Sequence, residues 1–216
     1  LKDISSLNEI QVDFIQLLLN QGGLKNYNYF LHLLDKLISL EEIKLDKSLI
    51  DFHDELVKWN WTDNDYPNIA IFLYKSLLQS GNTELADSIV EISKRHQINP
   101  KIVWITSFKS KDIQKEVINL LANEKIEAII TTTSFSSVEH KHDDIQNSLW
   151  DSFNVPVYQL LISSSSINEW KKSTVGLNPI DLSIQVVLPE VDGRICTVPI
   201  AFKNLSHTDN ELSISV

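Results

Sequence analysis

Methionine is absent from all 216 residues, position 1 included; the chain opens on Leu1 and closes on a polar LSHTDNELSISV. That leads us to expect a piece of a longer polypeptide, in which a site can be split between this piece and the rest. Cysteine is nearly absent too: Cys196 stands alone, which excludes an internal disulfide. No apolar run approaches the ~18 residues of a spanning helix, and no basic-then-apolar leader exists. No membrane span and a cytoplasmic address are therefore expected. Basic charge is short, with 19 Lys and Arg against 29 Asp and Glu and a net charge of −10, which argues against nucleic acid or an anionic membrane surface as a partner. Glycine is scarce at five residues, and neither standard Gly-rich phosphate loop is present; only Gly81 follows the first expected strand. ATP or a dinucleotide is not expected to bind this chain by itself. No serine sits in a nucleophile-elbow pattern, so serine hydrolase chemistry has no support.

What is present supports a core, with 43% hydrophobic residues. Ile10, Phe14, Leu17 and Leu18 recur at helical spacing, and Asn20-Gln21-Gly22-Gly23 supplies a stop. A second helix is expected over residues 26–40, with Phe30, Leu33, Leu34, Leu37 and Ile38 on one side and Tyr27, Tyr29 and Phe30 as packing residues. A weaker helical pattern covers residues 49–57. Residues 58–65 read as a polar loop in which Trp59 and Trp61, two apart, suit an extended segment covering a neighbouring surface. The expected division is a helical segment over residues 1–65, an α/β domain over 66–203 and a polar tail over 204–216.

From Asn68 the rhythm changes to short β-branched runs alternating with helical patterns, the form of βαβ units on a parallel sheet. Strands are expected at residues 69–74, 102–106, 128–132 and 155–161. Helices lie between them at 83–96, 111–124 and 144–153, with Thr83 and Ser110 as N-caps. A helix near Ser166, a loop over 174–178, a helix opened by Pro179 and a strand over 195–202 complete the pattern. The predicted fold is a parallel-sheet Rossmann/flavodoxin-like three-layer α/β domain preceded by an α-helical segment. Such sheets bind ligands at the carboxyl ends of their strands, and here those ends are rich in hydroxyls: residues 76–81, 106–110, 131–137 and 163–166. The same residues serve equally as caps and turn formers. A stand-alone small-ligand module, with Ser76, Ser107, Ser134 and Ser164 lining a cleft, is one function this pattern supports.

The other candidate is acidic. An apolar run over 184–188, polar only at Gln185, feeds into Pro189-Glu190-Val191-Asp192-Gly193-Arg194. Regular structure is expected to stop at Pro189, leaving Glu190 and Asp192 on a turn that Gly193 can close. Two carboxylates and a guanidinium there can bind a cation or abstract protons, and an Asp-Gly connection with no chemistry fits as well. His140-Lys141-His142-Asp143-Asp144 has a ligating composition but no common zinc spacing. Cys196 is expected as a small buried hydrophobe, and Trp150 and Trp170 as side chains locking helices to the sheet.

Several of these segments together resemble the large tetrapyrrole-binding subunit shared by CobN-type cobaltochelatases and magnesium chelatases. The likeness rests on Val155-Pro156-Val157 with Gln159, Glu169-Trp170, Ser173 followed by Gly176-Leu177-Asn178-Pro179, and Leu188-Pro189-Glu190-Val191-Asp192-Gly193-Arg194, in the family's order. Phe72-Leu73-Tyr74-Lys75-Ser76 with Ser80-Gly81-Asn82-Thr83, Ile105-Thr106-Ser107, Thr132-Thr133-Ser134-Phe135-Ser136 and Gly22-Gly23-Leu24-Lys25-Asn26 add to it, so that it covers residues 15–203. Asn20-Gln21 ahead of Gly22 departs from the pattern, and the family's subunit is much longer than this chain.

The resemblance implies a ligase-type metal chelatase, in which ATP is hydrolysed on separate AAA+ subunits working with an adaptor while this subunit holds the tetrapyrrole. The divalent metal is a substrate. Cobalt entering hydrogenobyrinic acid a,c-diamide in cobalamin biosynthesis is favoured by the short connection from 132–135 to 155–156 and by Gly193-Arg194-Ile195 with Ile200-Ala201-Phe202-Lys203. Magnesium entering the porphyrin protoporphyrin IX is the alternative. The resemblance also implies chemistry for the acidic turn. Glu190, as a metal ligand and proton acceptor, and Asp192 would act as a buried carboxylate pair taking the pyrrole protons. Ser134, Phe135, Ser164 and Arg194 would contact the macrocycle, with Arg194 pairing a substrate carboxylate or simply holding Asp192. The fragment alone is expected to be inactive.

Overall fold

The computed structural model describes residues 7–52, 54–134 and 148–202. They form two compact units: Leu1–Asp54 with Ser76–Asn82, and Glu55–Lys75 with Thr83–Val216.

The first unit is built on α1 (Glu9–Gln21) and α2 (Leu24–Ile38). Asn8 caps α1 in a reciprocal box with Gln11. Gly22, at φ 63°, ends it. Phe14, Leu18, Leu33 and Ile50 form the buried cluster, and the Tyr29 ring meets Phe14 edge-on at 5.9 Å. Ile10, Ile38 and Tyr27, expected on packed faces, are exposed. Asn26 is fully buried: its amide donates to Gly22 O at 2.7 Å and Asp51 O at 2.8 Å and accepts from Asp51 N–H at 2.8 Å. One side chain thereby ties the start of α2 to the segment after a 3₁₀ turn at Lys47–Leu49.

The second unit is a six-stranded sheet in the order β1-β3-β2-β4-β5-β6. Its strands are β1 (Leu56–Trp59), β2 (Asn68–Tyr74), β3 (Asn99–Ile105), β4 (Ile126–Thr131), β5 (Val157–Ser163) and β6 (Ile195–Phe202). Among these strands only β1 runs antiparallel, against β3; all other pairings are parallel. The chain leaves β2 for β3 on one side, then returns past β2 to β4 on the other. This is the flavodoxin-like order, with its topological switch between β2 and β4. The expected doubly wound α/β domain is what the structure contains.

The helices alternate with the strands. They are α3 (Lys75–Gln79), which spans the boundary between units, α4 (Glu84–Arg95), α5 (Lys111–Leu121) and α6 (Ile167–Lys172). Pleat alternation divides β2: Ala70 and Phe72 join Val117 and Leu121 of α5 in one cluster, which leaves Ile71 and Leu73 on the opposite face. Burial of each such large side chain stabilises by about 1.5–3 kcal/mol.

Three stretches differ from expectation. The helical pattern over 49–57 gives way to β1, and the polar loop starts after it. Trp59 ends β1, the chain bends at Asn60 (φ 49°), and both tryptophans cover β3: Trp59 meets Trp104 edge-on at 5.8 Å, and Trp61 donates its indole N–H to Ile102 O at 2.7 Å. Strand β3 begins at Asn99, earlier than its apolar run. Pro100 is tolerated because β1 pairs β3 only from Ile102 onward, so its missing N–H interrupts no ladder there. Lys101 is buried with its ammonium on Asp63 and on Glu124, the latter at 2.9 Å. The helix expected over 144–153 is described only from residue 148, as one 3₁₀ turn at Leu149–Ser152.

Candidate functional site

A cavity of about 190 Å³ opens at the carboxyl ends of β2, β3 and β4, lined by Tyr74, Thr106, Ser107, Phe108, Lys109, Thr133 and Ser134. It lies at the topological switch, where doubly wound sheets leave a crevice because adjacent crossovers diverge to opposite faces. Its floor is held by Tyr74, which accepts from Ser134 N–H at 2.8 Å and donates to Ser134 O at 3.3 Å. Burial raises the Tyr74 phenol above its ordinary range against the opposing hydrogen bonds of Ser134 and the charge of Arg194, so it stays protonated. Thr133 and Thr131 share a hydroxyl bond of 2.8 Å, which fixes the backbone as it leaves β4. Thr106 reaches Glu55 at 3.4 Å, and Ser107 accepts from Lys109 N–H at 3.2 Å.

Behind this wall lies Arg194. Its guanidinium donates to Thr133 O and Gln159 Oε1, both at 2.8 Å, and to Asp192 Oδ2 at 2.8 Å, and it lies 5.0 Å from the Trp150 ring. Trp150 donates to the same Asp192 oxygen at 3.4 Å and packs edge-on against Phe108 at 4.9 Å. Burial pulls the guanidinium down from its usual value while Asp192 pushes it back up. Four parts of the chain thus converge on one cation: the exit of β4, the middle of β5, the 3₁₀ turn and the Asp192 turn. Arg194 suits this because its planar fork serves several acceptors at once.

The segment before Arg194 is helical, contrary to the expectation that regular structure stops at Pro189. It comprises α7 (Pro179–Leu182), a wider π-type turn (Ser183–Val187) and α8 (Leu188–Val191). An ordinary helix would set the Pro189 ring against Gln185 O and leave that carbonyl without an N–H. The wider turn relieves the clash, and the Cys196 thiol approaches Gln185 O at 3.9 Å and Val186 O at 3.8 Å. The helix closes in a Schellman motif: Arg194 N–H reaches Pro189 O at 3.3 Å and Gly193 N–H reaches Glu190 O at 2.9 Å, with Gly193 at φ 75°. At the other end Asn178 caps α7, accepting from Ile180 and Asp181 N–H at 3.0 and 2.9 Å.

The predicted site residues fall into separate places. Ser134 lines the cavity. Ser164, at the end of β5, is tied to Asp181 by its N–H at 2.7 Å and its hydroxyl at 2.9 Å, and accepts from Asn178 at 2.8 Å. Asp192 and Arg194 are both buried in the ion pair, so Arg194 holds Asp192. Glu190 is exposed on α8 and does not line the cavity, so the expected buried carboxylate pair is not formed. The Schellman closure explains the separation, since it turns the chain between the two carboxylates. Phe135 and the His140-Lys141-His142-Asp143-Asp144 run lie outside the described residues. Ser107 shares the cavity with Ser134, whereas Ser76 belongs to the first compact unit. Among the described residues no group of three or more His, Cys, Asp or Glu is placed to hold a metal ion, and no helix is long and apolar enough to cross a membrane.

Sequence reasoning placed Thr133 only within the hydroxyl-rich strand end at 131–137, and gave Tyr74, Gln159, Asp181 and Gln185 no role at the site. The available signal was polarity inside apolar runs. Gln159 lies in VYQLLIS and Gln185 in SIQVV, and a polar residue in a buried run must find a partner.

A flavodoxin-order sheet with a cavity at its switch defines a doubly wound α/β domain. Residues 18–215 match the CobN/Magnesium Chelatase family, and the chain belongs to that family. It is similar to the aerobic cobaltochelatase subunit CobN of Sinorhizobium sp., with 27% identity over 69% of this chain and 12% of the relative. It is also similar to that of Pseudomonas aeruginosa, with 31% identity over 65% of this chain and 11% of the relative. The chain thus spans about an eighth to a ninth of these relatives. The solved catalytic subunit of cobaltochelatase from Mycobacterium tuberculosis shares the fold, with a TM-score of 0.73, 21% identity, and coverage of 98% of this chain and 18% of that one.

Proposed function

We propose that this chain is part of the tetrapyrrole-holding subunit of a metal chelatase, inserting cobalt into a corrin-type ring, hydrogenobyrinic acid a,c-diamide, as a step of cobalamin biosynthesis. The observation that carries the reading is the family match across residues 18–215, together with relatives named as cobaltochelatase subunits. Magnesium insertion into protoporphyrin IX is the second reading, supported by the family's joint description. ATP would be bound by AAA+ partner subunits, consistent with the missing phosphate loop, and an adaptor subunit would join them.

Within that reaction the exposed Glu190 carboxylate takes the role of proton acceptor and transient ligand for the incoming divalent ion, for which access to solvent is an advantage. Asp192 and Arg194 act as positioning residues: their pair holds Thr133, and Thr133 forms the cavity wall with Ser134. The test is Glu190→Gln in the complete subunit with its partners. Metal insertion should fall while tetrapyrrole binding, followed by fluorescence quenching, stays largely intact; normal turnover would sink the role. Preference for the corrinoid over protoporphyrin IX in that binding measurement separates cobalt from magnesium.

A further inference from the structure

We infer that the outer face of the helical segment 179–191 is the seat for the flat face of the tetrapyrrole, with Glu190 at its edge. The identity of the ligand rests on the reading above; the face itself rests on how this segment is wound. The cavity at the β2/β4 switch, at about 190 Å³, is below the roughly 300–1,000 Å³ of pockets that enclose a drug-sized ligand, so the ring does not seat there.

A surface helix ordinarily turns its apolar side inward and its polar side to water. This segment is inverted. Its buried positions are Asp181, Gln185 and Pro189, four apart, because the π-type turn at Ser183–Val187 winds more slowly than an ordinary helix. Asp181 and Gln185 are drawn inward by their bonds to the end of β5, at Ser164 N–H and at both Ile162 backbone groups. At about four residues per turn, positions two further on point the opposite way, and these are Ser183, Val187 and Val191. Val187 and Val191 are each 52% exposed, and Ile180, on the flank, is 71% exposed. Ser183 turns its hydroxyl back onto Pro179 O at 2.8 Å. Of the segment's two charged residues Asp181 is buried, so Glu190, beside Val191, carries the one charge of the face.

An exposed apolar face of this kind marks a binding surface, and Glu190 restricts what covers it. A cover over Val191 withdraws the neighbouring carboxylate from water, and a carboxylate so withdrawn needs a donor or a cation. The occupant is therefore apolar where it meets Val187 and Val191, and it offers N–H groups or a metal ion to Glu190. A macrocycle with a broad apolar face around pyrrole N–H groups meets both conditions. Short β-branched side chains suit a flat ring as well, because their stiff χ1 leaves little freedom to lose on contact.

The experiment titrates the methyl-labelled chain with protoporphyrin IX and follows Ile and Val methyl resonances, which an aromatic ring shifts upfield when they lie against its face. Saturable upfield shifts are expected at Ile180, Val187 and Val191 and not at Ile10 of α1 or Ile38 of α2, which are at least as exposed. Binding should weaken about tenfold in the double variant Val187→Asp with Val191→Asp, through lost apolar contact. Both positions are exposed, so that variant should keep the dispersed spectrum of the folded chain. Absence of saturable shifts, shifts spread equally to Ile10 and Ile38, or unchanged affinity in the double variant overturns the seat and leaves the chelatase reading to its own insertion assay. Dimerisation without porphyrin, seen by sedimentation and abolished in the double variant, hands the face to a second copy and overturns the assignment too.

Discussion

Asp192 and Arg194, two residues apart, meet at 2.8 Å with both side chains withdrawn from solvent. The pair is local in sequence but not in effect, because the same guanidinium bonds Thr133, just past the end of β4, and Gln159 in β5. Removing one partner strands a buried charge. Asp192→Leu is therefore expected to cost about 3–5 kcal/mol in urea unfolding. The double variant with Arg194→Met should lose less than the sum of the two singles, since it leaves no orphan charge; strict additivity would show that the pair does not act as a unit.

Cys196, the lone cysteine, reports on the helix beside it. Burial raises its thiol, the nearby Glu190 carboxylate raises it further, and Arg194 opposes them. The thiolate is the reactive form. Labelling by dithiobisnitrobenzoate at pH 8 should be slower in the folded chain than in urea, and Glu190→Gln should speed the folded rate. Identical rates for that variant and the parent would contradict the placement of Glu190 near the thiol.

The parallel strands were legible because β-branched runs covered on both faces carry their own signature. The five parallel strands each overlap a run recognisable in the sequence, whereas β1 was hidden: LVKW is short and its burial comes from β3, not from its own pattern. Asn99-Pro100-Lys101 was hidden for a different reason. A proline and a lysine argue against a buried strand until Asp63 and Glu124 are brought to the ammonium by the fold. At the site, the hydroxyl-rich strand ends pointed to the cavity. The fates of Glu190 and Asp192 did not follow from their spacing, because a π-type turn and a Schellman closure decide which carboxylate faces water.

Lys101 gives a dependence on pH at both ends. Burial alone would depress its ammonium, but hydrogen bonds to Asp63 and Glu124 outweigh it and hold it above the ordinary lysine value. Its contribution is complete below about pH 10.4, the unfolded value, and is lost as pH rises through the higher folded one. Asp63, held below its usual value chiefly by the hydrogen bond from Lys101, contributes fully above about pH 3.9 and loses that contribution as pH falls through its lower folded value. The stability gap between the parent chain and Lys101→Met should be flat from about pH 5 to 10 and narrow outside that window. Parallel curves at every pH would show that the pair contributes no linkage.

Gln185 serves β5 as a strand would. Its side-chain oxygen accepts from Ile162 N–H at 2.7 Å and its amide donates to Ile162 O at 2.6 Å, with a further bond to Asp181 Oδ1 at 3.3 Å. The β5–β6 register shifts between Leu161 and Ile162, so the backbone at this point needs a partner from outside the regular ladder. Gln185→Leu keeps a similar volume but leaves both Ile162 groups and one Asp181 oxygen without that partner. Each unsatisfied buried group costs about 1–3 kcal/mol, so the variant should unfold at clearly lower urea concentration. Gln185→Glu separates shape from bonding, because it still accepts from Ile162 N–H but sets a carboxylate against Ile162 O and Asp181. It should be at least as destabilising as Leu at pH 7 and recover at pH 4, where a protonated Glu can donate again; a variant indifferent to pH would mean that the amide's donor side carries nothing.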